Sequence, residues 1–387
     1  MNRRILALLL VFAMFAVLTT GCASGKQETD TNDTTQTEQT EAAEETAEPA
    51  EEASTALDTL VFTDSLGREV ELPRDITRIA PSGAVATMIL AAIAPECMVT
   101  VHATPSESQM VFLPASLASL PETGQMYGSK ANLNLETLLA ADPQVVIDLG
   151  DKKGDMTEDL NALQEQIGIP VIFIEADLAH MADAFRTLGG LLAGKADRGQ
   201  ELADLVDRTT TMAAESSAKI TDGMRVRAMY TTGEDGLGTN AAGSIQAQVL
   251  DLVGVENAVV VEDVSSKGGS NVISLEQLYQ FDPDVILFAD GSIYDAVADD
   301  SAWSQLTAIS SGRYYEIPGS PYSWLSGPPS MNMILGVWWL GNLIYPEIYD
   351  YDMAEMTQAL YKTLWGYELS SDEVAALLAN STLKAAR

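Results

Sequence analysis

The stretch "NLETLLAADPQVVIDLG", residues 134–150, has the same pattern as "SLEQLYQFDPDVILFADG", residues 274–291. In both stretches a Leu-Glu-x-Leu segment predicts a helix that stops at Asp-Pro, since proline disfavours helix in the residue before it. The short apolar run that follows predicts a strand. One such stretch would indicate only another helix–strand unit. Two in register predict two lobes of similar build.

Short apolar strands alternate with helical segments on both sides of these repeats. In the first half they are "RIAP", "MVTVHA" and "PVIFIEA", and in the second half "RVRAMYTTG", "NAVVVE" and "RYYEIPG". Ahead of them "TLVFTDSLGREVELP" predicts a β-hairpin around the turn "SLGR". Repeated strand–helix units imply α/β lobes of three layers with mainly parallel sheets.

A single long helix separates the two series of strands. Residues 195–220 carry no strand pattern and place apolar residues at helical spacing. We therefore predict a first lobe over residues 59–194, a bridging helix over 195–222, and a second lobe with a helical tail over 223–387. The tail is expected to form two amphipathic helices, the second with its N-cap at Ser370 or Ser371.

The N-terminus predicts export. Two arginines and an apolar run, too short for the roughly 20 residues of a membrane span, are typical of a signal peptide over residues 1–22. Gly21 before Cys22 resembles the lipobox of bacterial lipoproteins, in which the cysteine is lipidated; an ordinary signal peptide is the alternative. Residues 23–58 contain almost nothing to bury and predict a disordered acidic tether to the membrane.

Charge and cysteine content narrow the function classes. The formal net charge is −35, which argues against nucleic-acid binding, because that needs a basic footprint. Besides Cys22 the chain has only Cys97, so no intrachain disulfide is expected if Cys22 is lipidated, and Cys97 is interpreted as a buried apolar residue.

The body of the chain, about Leu60 to Asn380, resembles the class III substrate-binding proteins of bacterial ABC importers. The resemblance rests on the order and spacing of several motifs: "RIAPSGAVATMIL", "NLETLLAADPQVVIDLG", "LGGLLAGKADRGQELA", "ISLEQLYQFDPDVILFADG", "WSQLTAISSGRYYEIPG" and "SGPPSMNMILGVWWLGNLIYPE". It implies two α/β lobes joined by one rigid helix, with the ligand held in a cleft between the lobes and little domain closure. Members of this family bind ferric siderophores, haem, cobalamin and related ligands.

The chain offers little for covalent chemistry, and we predict no catalytic residue. It has two histidines, His102 and His180, and lacks nucleophile-elbow, Walker-loop and cysteine-cluster motifs. Two histidines do not make the three-histidine site of relatives that bind bare zinc or manganese, so no metal site is predicted unless carboxylates take over. His180 is expected at a surface or capping position, whereas His102 follows a strand whose loop faces the ligand in the family.

Ligand contacts are expected where the strands end, since ligands bind there in open α/β sheets. Each of these positions also has a simpler interpretation as a turn, a solvated loop lysine or a core aromatic residue. The candidates are Ser82, Gly83, His102, Tyr127 and Lys130 in the first lobe, and Asn240, Lys267, Tyr322, Trp324 and Ser330 in the second.

The glutamates of the two repeats are predicted to contact a membrane partner. By the resemblance, Glu136 and Glu276 lie on the rims of the lobes and dock with arginines of the importer's membrane subunits. A carboxylate–guanidinium pair is directional, so one on each lobe would fix orientation. Exposed glutamates without a partner are the alternative.

We therefore expect a monomeric, lipid-anchored extracytoplasmic protein that captures a metal chelate and delivers it to the permease and ATPase of an ABC importer, without a cofactor of its own. A ferric siderophore, haem or a corrinoid is the first choice of ligand. An oxyanion such as molybdate or tungstate is the second, favoured by the serine, glycine and lysine content of the expected cleft. A membrane-tethered sensor or adhesion module without transport is the rival class, and an enzyme comes third.

Overall fold

The computed structural model describes residues 58–127, 131–152, 154, 156–264 and 271–383. The predicted signal peptide with Cys22, most of the predicted tether, Lys130 and Lys267 lie outside the described residues. The strands are β1 Thr59–Thr63, β2 Glu69–Pro73, β3 Ile79–Pro81, β4 Val145–Gly150, β5 Val171–Glu175, β6 Arg227–Thr232, β7 Gly238–Thr239, β8 Glu256–Asn257, β9 Asn271–Val272, β10 Val285–Phe288 and β11 Tyr314–Glu316. The α-helices are α1 Ala84–Ile93, α2 Glu107–Met110, α3 Leu135–Ala140, α4 Met156–Ile167, α5 Met181–Leu191, α6 Ala196–Ser217, α7 Gln248–Val253, α8 Leu275–Phe281, α9 Thr307–Ser310, α10 Met333–Ile344, α11 Met353–Trp365 and α12 Ser371–Leu377.

The predicted hairpin is present and packs against the first sheet. β1 and β2 pair antiparallel. In their turn Asp64 and Arg68 form a buried ion pair of 2.7 Å, and Arg68 also donates to the carbonyl oxygen of Val171 at the start of β5 (2.6 Å). The hairpin therefore attaches to the edge of the first sheet through a paired charge.

The first sheet is parallel, in the order β3–β4–β5. All six residues of β4 are buried, as expected of a central parallel strand. The predicted strand at "MVTVHA" is wrong as a regular element, because it pairs only through two isolated bridges, Ile79 with Met98 and Val101 with Glu122. This segment changes partners midway, so no continuous ladder forms.

The second sheet contains both orientations. Its order is β11–β10–β6–β7–β9, with β8 paired to β6. Four strands run parallel to one another: β8, β6, β10 and β11. Strand β7 pairs antiparallel with β6 on one side and with β9 on the other. The predicted strand "NAVVVE" is reduced to β8. The side-chain oxygen of Asn257 accepts a hydrogen bond from the amide of Val259 (3.0 Å), and this local turn ends the strand.

Helix α6 is the predicted bridging helix and comprises 22 residues, about 33 Å at 1.5 Å per residue. It packs closely on α5, since a Cβ at Gly199 would lie 2.5 Å from the carbonyl oxygen of Phe185. Only glycine permits this approach. The fold class is thus confirmed as two α/β lobes with parallel strands; the lobe boundaries at 194/195 and 222/223 stay predictions.

The two tail helices form as predicted, with Ser370 as the N-cap of α12. The tail also contacts the first lobe: the ring of Phe112 lies 5.5 Å from that of Tyr361 and 5.1 Å from that of Tyr367, both edge to face. Arg198 of α6 donates to the carbonyl oxygen of Ala92 (3.0 Å), at the end of α1, and to that of Thr363 (2.6 Å), in α11. Parts that are distant in sequence are therefore joined at the tail as well as through α6.

Within the described part of the chain, no helix combines the length and apolar character needed to span a bilayer.

Candidate ligand cleft and docking rims

The two repeats fold into matching helices that begin with a polar cap. The side chain of Asn134 accepts a hydrogen bond from the amide of Thr137 (3.1 Å) at the start of α3. At the start of α8, Ser274 accepts from the amide of Gln277 (3.2 Å), and the Gln277 side chain accepts from the amide of Ser274 (2.9 Å). Both helices therefore begin at the residue that the repeated pattern indicates.

Glu136 and Glu276 occupy the same helical position, the second residue after the cap, and both are exposed. Two residues further on, Leu138 and Leu278 are fully buried. Each helix thus inserts one leucine into its lobe and presents one glutamate to solvent. Among the described residues neither glutamate forms an ion pair.

Both helices end at the predicted Asp-Pro. Asp142 and Asp282 adopt left-handed backbone conformations, with φ of 49° and 37°. Aspartate tolerates this region better than most residues, and the proline behind it prevents the helix from continuing. Glu136 and Glu276 are therefore carried by two single-turn to two-turn helices of the same design, which we call the first rim helix (α3) and the second rim helix (α8).

An arginine contacts the end of each rim helix, and neither arginine was predicted from the sequence. Arg78 donates from Nε to the carbonyl oxygen of Asp142 (2.8 Å), and Arg227 donates from Nη1 to that of Asp282 (3.3 Å). The signal in the sequence is an arginine at the start of the first sheet strand of each lobe.

Ser82 and Gly83 lie where β3 ends and α1 begins. The hydroxyl of Ser82 donates to the carboxylate of Asp148, and both residues are buried. Gly83 is the N-cap of α1 and supplies no side-chain cap. Since the Ser82 hydroxyl is committed to Asp148, the groups left to a ligand at this turn are the first backbone N–H groups of α1. Asp148, a buried carboxylate in a central strand, was missed because β4 reads as an ordinary apolar strand.

His102 is joined to the same turn through Thr87. The Thr87 hydroxyl donates to the carbonyl oxygen of Gly83 (3.0 Å), and it lies 3.0 Å from Nδ1 of His102. Because the Thr87 hydroxyl donates its proton to Gly83, it can only accept from His102. We therefore assign the ring proton to Nδ1, which leaves Nε2 as the acceptor nitrogen. Burial lowers the pKa of His102 below its ordinary value, so the imidazole is neutral at pH 7.

Tyr127 is partly buried beside these groups. The amide of the preceding residue, Met126, donates to the carbonyl oxygen of Ser82 (2.8 Å), which places this segment against the turn. Burial raises the pKa of the Tyr127 phenol, and the charges of Asp148 and Asp159 raise it further. The structure therefore places Tyr127 next to the turn at Ser82–Gly83, to which His102 is joined through Thr87. That these residues form one wall of a ligand cleft stays a prediction.

The second-lobe candidates are mostly core residues. Trp324 and Ser330 have no exposed surface, and Tyr322 is 7% exposed, with burial raising its pKa to about 12. Trp324 packs beside Tyr361 of the tail at 6.3 Å between ring centroids. Asn240 is also buried, and its carbonyl oxygen accepts from the side chain of Asn257 (2.8 Å). Direct ligand contact by these four side chains stays a prediction, and Trp324 has the core position that was its alternative interpretation.

Glu175, Asp177 and His180 bring their ligand atoms within 4.8 Å of one another. His180 is exposed and stands at the N-cap of α5, as predicted, and its Nδ1 lies 2.6 Å from the carboxylate of Asp177, which raises the pKa of the imidazole. Glu175 pairs with Lys152 at 3.0 Å. A helix N-terminus and a lysine already supply positive charge here, and this arrangement explains the cluster without a metal.

The chain matches the family described as periplasmic binding protein over residues 100–321. Among solved structures it is similar to an ABC transporter solute-binding protein from Sulfurospirillum deleyianum, at 27% identity with a TM-score of 0.76, covering 82% of this chain and 99% of that one. It also resembles a periplasmic solute-binding protein from Veillonella parvula, at 22% identity, TM-score 0.68, and coverage of 84% and 98%. The molybdate-bound periplasmic protein MolA of Haemophilus influenzae shares the fold at 20% identity, TM-score 0.66, with coverage of 80% and 99%.

No curated protein matches the chain. Like the similar protein from Sulfurospirillum deleyianum, the chain is a solute-binding protein of the ABC-transporter type, a class that is extracytoplasmic and works with a permease and an ATPase. The chain belongs to the periplasmic binding protein family.

Proposed function

We propose that this protein captures a metal chelate, such as a ferric siderophore, haem or a corrinoid, and delivers it to the permease of an ABC importer while anchored to the membrane through lipid on Cys22. The observation that supports a chelate is His102. Its ring is neutral, its Nδ1 is held by Thr87, and its Nε2 is the acceptor nitrogen. A neutral imidazole oriented through its other nitrogen is the form that ligates a transition metal.

Titration with haemin, cyanocobalamin and a ferric catecholate siderophore tests the ligand class. We expect one of them to bind the full chain with a change in its metal-centred absorption bands. His102→Ala is expected to remove that change and to weaken binding about tenfold or more, whereas the control His180→Ala binds as the wild type does. A flat response to all three chelates would exclude this class.

An oxyanion is the second candidate, and the turn at Ser82–Gly83 favours it. Helix α1 begins there without a side-chain cap, which leaves backbone N–H groups suited to an anion. The aromatic candidates of the second lobe are buried, so they offer no described apolar wall to a large chelate. Calorimetry with molybdate and tungstate distinguishes the two: binding of an oxyanion but of no chelate would replace the first proposal by the second.

The exposed, matched glutamates support delivery to an importer. Glu136→Arg and Glu276→Arg are expected to abolish stimulation of the importer ATPase and uptake of the ligand, with ligand affinity unchanged. Glu215→Arg, an exposed glutamate on α6, is the control. If uptake continues in both reversal variants, the docking role is wrong and a tethered ligand sensor becomes the better hypothesis.

Anchoring and oligomeric state are proposed separately. Cys22→Ala is expected to release the protein from the membrane fraction, and the purified body is expected to elute as a monomer. Retention of the variant in the membrane fraction would contradict the lipid anchor.

A further inference from the structure

We propose that Arg78 and Arg227 are positioning residues for docking: each fixes the end of one rim helix and thereby the direction of the glutamate at its start. The inference rests on the proposed docking role of Glu136 and Glu276. It concerns two residues that contact neither ligand nor partner in that proposal.

In the first lobe the arginine holds two carbonyl groups. Arg78 donates to the carbonyl oxygens of Ala141 and Asp142, directly behind the first rim helix. Its own backbone is held in turn by Gln144, whose side chain accepts from the amide of Arg78 (3.0 Å) and whose amide donates to the carbonyl oxygen of Arg78 (2.9 Å). The guanidinium, the end of the helix and the start of β4 therefore form one hydrogen-bonded unit.

The second lobe repeats the unit with different side chains. Arg227 donates to the carbonyl oxygen of Asp282, and Asp284 takes the place of Gln144. The carboxylate of Asp284 accepts from the amide of Arg227 (2.8 Å), and the amide of Asp284 donates to the carbonyl oxygen of Arg227 (2.8 Å). Arg227 also lies 3.6 Å from Glu256, so its guanidinium is shared between two acceptors.

Helices as short as the two rim helices depend on hydrogen bonds from outside the helix for their stability. The rim helices have six and seven residues, below the length at which an isolated helix is stable in water. Their last carbonyl groups have no partner within the helix, and a cation at the C-terminal end both satisfies them and favours the helix dipole. Because the helix spans two turns at most, fixing its end fixes the direction of the glutamate at its start.

Both arginines lie at the surface, so their removal leaves the apolar cores intact. Arg78 is exposed, and the side chain of Arg227 is 39% exposed. The effect of an alanine substitution is therefore expected in docking rather than in folding.

The experiment measures binding of the full chain, without added ligand, to the importer reconstituted in nanodiscs. Arg78→Ala is expected to weaken binding about fivefold. Arg227→Ala is expected to weaken it less, because the hydrogen bond from Arg227 to the carbonyl oxygen of Asp282 is longer and its guanidinium is shared with Glu256. Arg78→Lys should recover part of the loss, since an ammonium still donates to a carbonyl. Arg74→Ala and Arg225→Ala, exposed arginines paired with Asp58 and Asp222, are the matched controls.

A double-mutant cycle separates positioning from general loss of structure. If Arg78 acts through Glu136, then Arg78→Ala adds no further loss in a Glu136→Gln background. Full additivity in that background would overturn the inference, as would wild-type binding by both arginine variants while the glutamate reversals weaken it. If the glutamate reversals themselves leave binding unchanged, docking through the rims is wrong, and the positioning role is wrong with it.

Discussion

The two rim helices reach the same geometry by different distributions of hydrogen bonds. In the second lobe the helix start is the better-held end, because Ser274 and Gln277 cap each other reciprocally. In the first lobe Asn134 accepts one hydrogen bond at the helix start, and no second bond returns to its amide from the residue at the N3 position. The end of this helix is held by two hydrogen bonds from Arg78 to carbonyl oxygens, whereas the second rim helix has one from Arg227.

Despite these different hydrogen bonds, the two rim helices share three features. Both retain an exposed glutamate at the second helical position, a buried leucine two residues later and a left-handed aspartate before proline. The capping residues vary between the lobes. The exposed glutamate at the second helical position is therefore the common element, and the means of stabilising the helix is the variable one.

Removing the buried leucine of a rim helix should change stability more than any other substitution considered in these helices. Leu138→Ala and Leu278→Ala should each lower the free energy of unfolding by about 2–5 kcal/mol, because both side chains are fully buried. Urea denaturation measures this, and Leu139→Ala, whose side chain is 46% exposed, serves as the control and should change stability by less than about 0.5 kcal/mol. A small loss for only one of the two buried leucines would show that the rims are anchored differently.

A smaller effect is expected at the helix caps, and here the lobes should differ. Asn134→Ala should cost about 1 kcal/mol in the first rim helix. Ser274→Ala should cost less, because the Gln277 side chain still accepts from the backbone amide of residue 274 and holds the helix start. Hydrogen exchange of the amides of Thr137 and Gln277 measures each helix separately. If hydrogen exchange accelerates equally at both amides, the two helix starts are equally well stabilised and the lobes do not differ at this end.

The smallest effect is the pH response of the two histidines, both of which lie in the first lobe. Burial lowers the pKa of His102, so stability falls as pH drops below its ordinary value of 6.5. The Asp177 carboxylate raises the pKa of His180, so that small stabilisation is complete below 6.5 and is lost as pH rises through the raised value.

Nuclear magnetic resonance titration of the two imidazoles checks both signs. Asp177→Asn should return the pKa of His180 toward its ordinary value and leave His102 unaffected. Titration of His102 above His180 would contradict the assignment of both environments.

The sequence supported the fold well, because the decisive signals were local. Proline disfavours helix in the residue before it, so Asp-Pro marks a helix end in the sequence. Because the pattern occurs twice, both rim helices could be predicted from the sequence alone. The strand at "MVTVHA" was wrong, since its apolar pattern could not reveal that its backbone changes partner between Met98 and Val101. Pairing is decided by neighbours that are remote in sequence.

The site was predicted less completely than the fold. Ser82, Gly83 and His102 were chosen because they follow predicted strands, whereas the Thr87 hydroxyl that links Gly83 to His102 looks like any threonine on an apolar helix. Trp324 was chosen for its side-chain type, and its burial depends on the tail helices that close over it. Neither feature can be inferred from spacing along the chain.

The contact of Phe112 with Tyr361 and Tyr367 has a consequence for the order of assembly. An apolar ring of the first lobe is covered by residues that are synthesised long after that lobe is complete. Until the tail is synthesised, Phe112 therefore lacks the two edge-to-face ring contacts that it has in the folded protein.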